Sequence, residues 1–454
     1  MNKLYKKVLK KITPSKKEVR AEQKLVEEIR ATLSKINGKH SHIEWCGSSA
    51  RGTHLKGDRD IDLFLMFHKT LPSEELESEG LRIAKKLFGK NKWELAYSQH
   101  PYVRGMIKGF EVEIVPSYLV ASGAEKQSAV DRTPFHNKYL LEKLSEKQKQ
   151  EARLLKQFLK GINSYGADLK NCALPGYGVE LLIVAYGNFE SALKNISSWK
   201  PGKMLLFGAD EEISKRLFEK SKYPLVIIDP VDSNRNVASA LSPEQFERMV
   251  LAARLFLEKP SMKFFFPSKK KTWPKKRVSL MLSKKELLAI KMNFPKNILS
   301  DLFWGQLRRT LKKAENYLRE NDFELNRSAL WGDEKRAVLL FELEELNLQK
   351  AKKVFGPFAS DKENTKRFLE KKRKILSGPR IENGRMVIET EREETSAEKV
   401  LKNFLKEGSK IEKGALKTAL KKASVLNEKK ILSEYKGAFA EYLTNYLEGK
   451  ESFE

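Results

Sequence analysis

Between residues 21 and 36 the apolar positions Leu25, Val26, Ile29, Leu33 and Ile36 recur at intervals of three and four, which predicts an amphipathic helix. The period then changes. Leu63-Phe64-Leu65-Met66-Phe67 is a short continuous apolar run, the pattern of a buried strand, and it follows Asp60-Ile61-Asp62 directly. Leu81 to Phe88 predicts a second helix, and Trp93–Tyr97 and Tyr102–Ile107 predict two short strands. A Lys-Gly turn leads into Phe110-Glu111-Val112-Glu113-Ile114-Val115, a strand expected to end at Pro116. These pieces make a small α+β unit with a mixed or antiparallel sheet, not a Rossmann repeat.

From about residue 145 to 260 the pattern is mainly helical. Leu154, Leu155, Phe158 and Leu159 mark one helix, Gly178 to Tyr186 gives an apolar buried one, and Pro224 to Asp229 interrupts as a strand. Lys263 to Arg277 reads as a boundary. It carries Lys263, Lys269, Lys270, Lys271, Lys275, Lys276 and Arg277 with no acid, and includes Pro267 and Pro274. A solvated linker is the first reading. The interleaved aromatics Phe264 to Phe266 and Trp273 make an RNA-facing segment the second. Beyond it, Leu302–Leu318 predicts a basic helix and Ala337–Leu343 and Arg385–Thr390 predict strands. Lys399–Lys406 and Ala415–Tyr446 predict further Lys-rich helices. The expected division is 1–144, 145–262 and 263–454.

Composition sharpens this picture in two ways. At 454 residues the chain exceeds one typical core, so several domains are expected. The 88 Lys and Arg against 60 Asp and Glu give a net charge of +28, which favours a polyanionic partner through counterion release and steering. A basic membrane-surface protein would share that charge, but no apolar run is long enough to span a bilayer. Met1 to Ile12 is basic and amphipathic, without the apolar centre of a secretory signal. Cys46 and Cys172 offer neither a disulfide framework nor a zinc pattern, so a cytoplasmic protein with no membrane partner is expected.

The chemistry concentrates in Gly47-Ser48-Ser49-Ala50-Arg51-Gly52-Thr53 and the Asp60-x-Asp62 that follows. Residues two apart on a strand point the same way, so Asp60 and Asp62 project from one face. The Gly-Ser-Ser turn can bring backbone N–H groups, the Ser48 hydroxyl and Arg51 to an anion. A phosphate cradle beside paired carboxylates suits metal-assisted phosphoryl or nucleotidyl transfer. Each motif alone is more often a turn or a polar strand end; their order and proximity carry the reading. Glu113, on the later strand, is the candidate third carboxylate. Glu111 is left to a solvated face.

These motifs resemble the DNA polymerase β-type nucleotidyltransferases, and more narrowly the archaeal (class I) CCA-adding enzymes. The likeness continues through Asp131-Arg132-Thr133-Pro134-Phe135-His136, Leu155-Lys156 and Tyr165-Gly166. It then takes in Gly176-Tyr177-Gly178-Val179-Glu180-Leu181-Leu182, Asp229-Pro230-Val231-Asp232 and Arg235-Asn236-Val237-Ala238, and in the basic third Phe303-Trp304-Gly305-Gln306 and Phe355-Gly356-Pro357. The resemblance implies a polymerase β-like head, a helical neck and a basic α+β body and tail that hold the tRNA acceptor arm. It implies template-independent addition of C, C and A to the tRNA 3′ end from CTP and ATP, with Mg²⁺, and a homodimer. Carried over by position, Asp60, Asp62 and Glu113 are the metal-binding, catalytic carboxylates. Ser48, Arg51, His136, Lys156 and Tyr165 form the nucleotide site. Arg235 reads the incoming base or primer end, or else makes a structural ion pair. The family's third carboxylate is usually Asp, so Glu113 is a departure by one methylene, about 1.5 Å. Two rivals stand: a poly(A)-type transferase, and a non-catalytic RNA-binding protein on the same scaffold.

Overall fold

The computed structural model describes residues 2–454 apart from 37, 98–100, 219–222, 269–270, 296–299, 334 and 372–373. The chain folds as two compact units, one of Met1–Lys269 with Glu451–Glu454 and one of Lys270–Lys450.

The first unit begins with helices α1 (Lys3–Ile12) and α2 (Lys16–Lys35). A capping box starts α2: Ser15 Oγ accepts from the Glu18 N–H, and the Glu18 carboxylate accepts from the Ser15 N–H at 2.6 Å. Then follow β1 (His40–Cys46), the short helix α3 (Gly47–Arg51), β2 (Asp60–His68) and α4 (Ser73–Phe88). Three strands complete the head: β3 (Trp93–Tyr97), β4 (Pro101–Ile107) and β5 (Phe110–Leu119). The sheet order is β1-β2-β5-β4-β3, with β2 and β5 parallel and the other neighbours antiparallel.

Alternation along β2 gives the sheet its two faces. Ile61, Leu63, Leu65 and Phe67 are buried in one cluster with Leu25, Val26, Ile29 and Leu33 of α2 and Leu76, Ile83 and Phe88 of α4. Asp60 and Asp62 share the other face with Phe64 and Met66, which pack against Cys46 and Val115. Two predicted boundaries move. Helix α4 begins at Ser73 rather than Leu81, and β5 runs through Pro116 to Leu119. Pro116 keeps its place in the parallel ladder opposite Leu65 of β2. The Pro116 ring also lies on Gly80 of α4, where a Cβ would come within 2.2 Å.

The rest of this unit is α5 (Thr133–Lys143), α6 (Glu146–Gly161), α7 (Gly176–Tyr186), α8 (Phe189–Ile196), β6 (Lys203–Leu205), α9 (Glu211–Phe218), β7 (Leu225–Asp229), β8 (Asp232–Asn236) and α10 (Pro243–Glu258). Its core gathers Leu154, Leu155, Phe158 and Leu159 with Phe189, Phe246 and Phe256. Phe264 and Phe265 belong to the same core, 2% and 0% exposed, and ring-pack on Phe158 and Phe256. They therefore do not face RNA. Their burial outweighs the basic sequence around them, and the break between units falls a few residues later, at 269/270. Lys269 and Lys270 lie outside the described residues.

The second unit contains α11 (Lys275–Leu282), β9 (Glu286–Asn293), α12 (Ser300–Glu320), β10 (Leu325–Gly332), β11 (Arg336–Leu343), β12 (Ala351–Phe358), α13 (Lys362–Glu370), β13 (Ile375–Glu382) and β14 (Arg385–Glu391). It ends with α14 (Ala397–Ile411), α15 (Gly414–Lys421), β15 (Ser424–Leu426), α16 (Glu428–Ser433) and α17 (Gly437–Glu448). Its sheets run β10-β11-β9-β15 and β12-β14-β13. Strand β15, which pairs with β9, interrupts the helical stretch expected over Ala415–Tyr446. Trp273 packs against a core of this unit and carries the Arg277 guanidinium 3.8 Å above its ring, so it is not a free stacking surface.

Candidate active site

Four carboxylates and an arginine lie in register across the head sheet. Asp62 pairs with Glu113 across the parallel β2–β5 ladder, Asp60 with Glu111, and Glu113 with Arg104 across β4–β5. Because paired residues share a face, Asp62, Glu113 and Arg104 form one row on the face away from α2 and α4. Arg104 is held by Glu94 at 2.8 Å and lies 3.6 Å from Glu111 and 3.9 Å from Glu113. The Tyr102 hydroxyl donates to Glu113 at 3.4 Å.

The start of α3 lies against this row. Gly47 has φ +82°, and a Cβ there would fall 1.9 Å from Asp62 Oδ2, so the Asp62 carboxylate rests directly on the Gly47 backbone. Ser48 follows, half-exposed on the first turn of α3.

Burial, then the charge of Asp60, pushes Asp62 up to about 6; burial, then Asp62, pushes Glu113 up to about 8. Asp60, at the open end of β2, is raised first by desolvation and then by Asp58 and Glu111. Hard oxygen donors that destabilise one another's charge suit a divalent cation, which reverses that repulsion. Among the described residues, no three His, Cys, Asp or Glu side chains stand in ready-made ligand geometry. The fit therefore lies in the chemistry of the donor set, with Glu113 turned towards Tyr102 and Arg104.

The nucleotide candidates divide between two buried hubs. The first is Glu180 on α7, fully buried. Its Oε2 accepts from Arg51 Nε at 3.1 Å and Nη2 at 2.8 Å, and its Oε1 from Lys156 Nζ at 2.8 Å and from the Thr53 hydroxyl. Lys156 also donates to Thr53 O and Oγ1 at 3.2 and 3.1 Å, and Arg51 Nη1 to Asn137 Oδ1 at 3.4 Å. Burial opposes the Glu180 charge, but Arg51 and Lys156 overcome it and hold the carboxyl at about 2. Burial likewise lowers the Lys156 ammonium, against the pull of Glu180. Tyr165 borders this hub: a Cβ on Gly176 would meet its hydroxyl at 2.7 Å and Lys156 Cε at 3.8 Å.

The second hub is Asp229 at the end of β7. It accepts from His136 Nε2 at 2.7 Å, Arg235 Nη1 at 2.8 Å and the Tyr177 hydroxyl at 3.1 Å, while the His136 and Tyr177 rings lie 4.1 Å apart. Burial opposes ionisation of Asp229, yet His136 and Arg235 hold it down at about 2. Arg235 thus makes an ion pair in this structure.

Ser48, Arg51, Lys156 and Tyr165 are gathered around α3 and the start of α7, one short helix from the carboxylate row. His136 belongs to the Asp229 hub, although its neighbour Asn137 reaches Arg51. Sequence reasoning assigned no role to Glu180 or Asp229. A signal existed for each: Glu180 is the one acid in the apolar helix Val179-Glu180-Leu181-Leu182-Ile183-Val184, and Asp229 ends an apolar strand.

Comparison with known proteins adds an independent line. The nucleotidyltransferase domain family matches residues 23–136, the second domain of tRNA nucleotidyltransferase matches 150–266, and the C-terminal domain of the CCA-adding enzyme matches 285–427. A CCA-adding enzyme of Sulfurisphaera tokodaii is 35% identical over 397 residues, 87% of this chain and 90% of its own length. One from Methanocaldococcus jannaschii is 36% identical over 403 residues, covering 86% and 87% respectively. Among solved structures, a cytoplasmic RNA terminal U-transferase aligns with 58% of this chain and 97% of its own, at 16% identity and a TM-score of 0.47.

Proposed function

The chain belongs to the class I CCA-adding enzymes, the tRNA nucleotidyltransferases, and we propose that Asp60, Asp62 and Glu113 hold the metal ions of its reaction. The enzyme adds C, C and A to the 3′ end of tRNA without a template, using CTP and ATP. In each cycle the terminal ribose hydroxyl attacks the α-phosphorus, the bond to the β-phosphate oxygen breaks, and pyrophosphate leaves.

The observation that carries the site assignment is the Asp62 carboxylate, seated on the Gly47 backbone and in register with Glu113. Two divalent ions, Mg²⁺ in this reading, would supply Lewis-acid stabilisation of the charge on the α-phosphate and on the departing pyrophosphate. The protein's own part is placement. Asp60 and Asp62 lie on one strand face at the sheet's open end, where a primer terminus has access. Ser48 offers a hydroxyl on the first turn of α3, and Arg51 and Lys156 offer positive charge to the triphosphate. Tyr165, beside Lys156, and His136, on the Asp229 hub, complete the nucleotide site in this reading. Basic residues of the second unit grip the acceptor arm through phosphates and A-form shape. We assign the enzyme to the cytoplasm as a homodimer; light scattering on the purified chain tests the oligomeric state.

The test is Asp62→Ala. A folded variant should lose incorporation of CMP and AMP while still binding tRNA. Wild-type incorporation by that variant would sink the assignment.

A further inference from the structure

Glu180 stands where a phosphate-binding argument would not put a carboxylate: buried between the two cations assigned to the triphosphate. A one-to-one ion pair balances its charges. This one does not. Arg51 and Lys156, their side chains 8% and 2% exposed, share the single carboxylate of Glu180, and their other partners, Thr53 and Asn137, are neutral. Within the cluster Glu180 neutralises one of two cations; the other carboxylates that act on the pair, Asp62 on Arg51 and Asp58 on Lys156, lie outside it, and an anionic ligand would complete the neutralisation inside.

The donor geometry points the same way. Glu180 engages Nε and Nη2 of Arg51, and Asn137 takes one N–H of Nη1. A guanidinium has five N–H groups, so one on each terminal nitrogen lies outside these bonds. The same carboxylate fixes Lys156 through its other oxygen, and with Thr53 O and Oγ1 it takes all three ammonium donors, so Lys156 contributes charge and Arg51 the open N–H groups. Arg51 also closes the short helix whose first residue, Gly47, supports Asp62. One carboxylate therefore sets the spacing of both cations, relative to each other and to the metal-binding row.

We infer that Glu180 is a positioning residue that holds Arg51 and Lys156 as a fixed, singly over-charged pair for the polyphosphate of the incoming nucleotide. The inference rests on Arg51 and Lys156 being triphosphate contacts. Glu180 acts through them on phosphate, so its effect does not depend on which base is added.

The probe is inorganic tripolyphosphate, used as a competitor of CTP incorporation by the full chain, alongside KM values for CTP, ATP and tRNA. Glu180→Gln keeps the side-chain shape and removes the charge. The inhibition constant and both nucleotide KM values should rise by one common factor, about tenfold or more, while the KM for tRNA stays put. Unchanged or tighter tripolyphosphate inhibition in folded Glu180→Gln overturns the inference. So does a loss confined to one of the two nucleotides. Should Glu180→Gln not fold, Thr53→Val decides, since it removes one hydroxyl from the same hub. A several-fold weaker inhibition supports the inference, and no change overturns it. Wild-type protein that tripolyphosphate does not inhibit would overturn the phosphate assignment itself, and the inference with it.

Discussion

Gly47→Ala asks whether the contact between the α3 turn and Asp62 serves the chemistry. Two costs follow from the structure. At φ +82° any side chain is disfavoured, by about 1–2 kcal/mol. The new Cβ would also lie 1.9 Å from Asp62 Oδ2, so the carboxylate must retreat by about 1.5 Å to reach ordinary contact. Misplacing a reacting group by about 1 Å costs on the order of 10²-fold in rate, so Gly47→Ala should lower turnover at least that far. Gly187→Ala is the control. That residue caps the far end of α7 at φ +83°, with nothing within 4 Å of a Cβ, so it carries the backbone cost alone. Both variants should unfold a few degrees lower than wild type. Only Gly47→Ala should fail in single-turnover extension of a tRNA lacking its terminal adenosine. Folded Gly47→Ala with turnover within about fivefold of wild type would refute the placement of Asp62 at the reacting centre.

Further outcomes follow from the same geometry. Glu180 and Asp229 each have a folded pKa near 2, below their unfolded values, so the stability they contribute is present above about pH 4.5 and is lost as pH falls towards 2. For Glu180 that contribution is at most roughly 3 kcal/mol, and the thermal midpoint of Glu180→Gln should fall less steeply from pH 5 to 3 than that of wild type. Phe265→Ala should cost about 3–5 kcal/mol in denaturant unfolding and leave tRNA affinity of the folded fraction unchanged, as expected of a core ring rather than an RNA contact. Chelating divalent ions should abolish incorporation, and added Mg²⁺ should restore it in wild type but not in Asp62→Ala. A filter-binding measurement should find tRNA still held in all of these states.

The parts of the fold that were legible in the sequence are those set by local periodicity. The continuous run after Asp62 specifies β2, and alternation alone puts Asp60 and Asp62 on one face, whatever strand pairs beside them. What stayed hidden depends on residues far along the chain. Strand β5 passes Pro116 because β2 lies opposite it, at Leu65, and Gly80 of α4 leaves room for the ring. Phe264 and Phe265 lie among lysines in sequence but among phenylalanines in space. Arg51 and Glu180 are 129 residues apart, so no local pattern could pair them. The candidate site was thus legible as a set of residue types, and illegible as a set of partnerships.

The most direct test of the whole account uses tRNA transcripts that lack the terminal CCA, with Mg²⁺ and CTP, ATP or both, and sizes the products to the nucleotide. The account predicts two additions with CTP alone and a full CCA end with both nucleotides. Long adenosine tails from ATP alone, or tight tRNA binding with no extension at all, would contradict it.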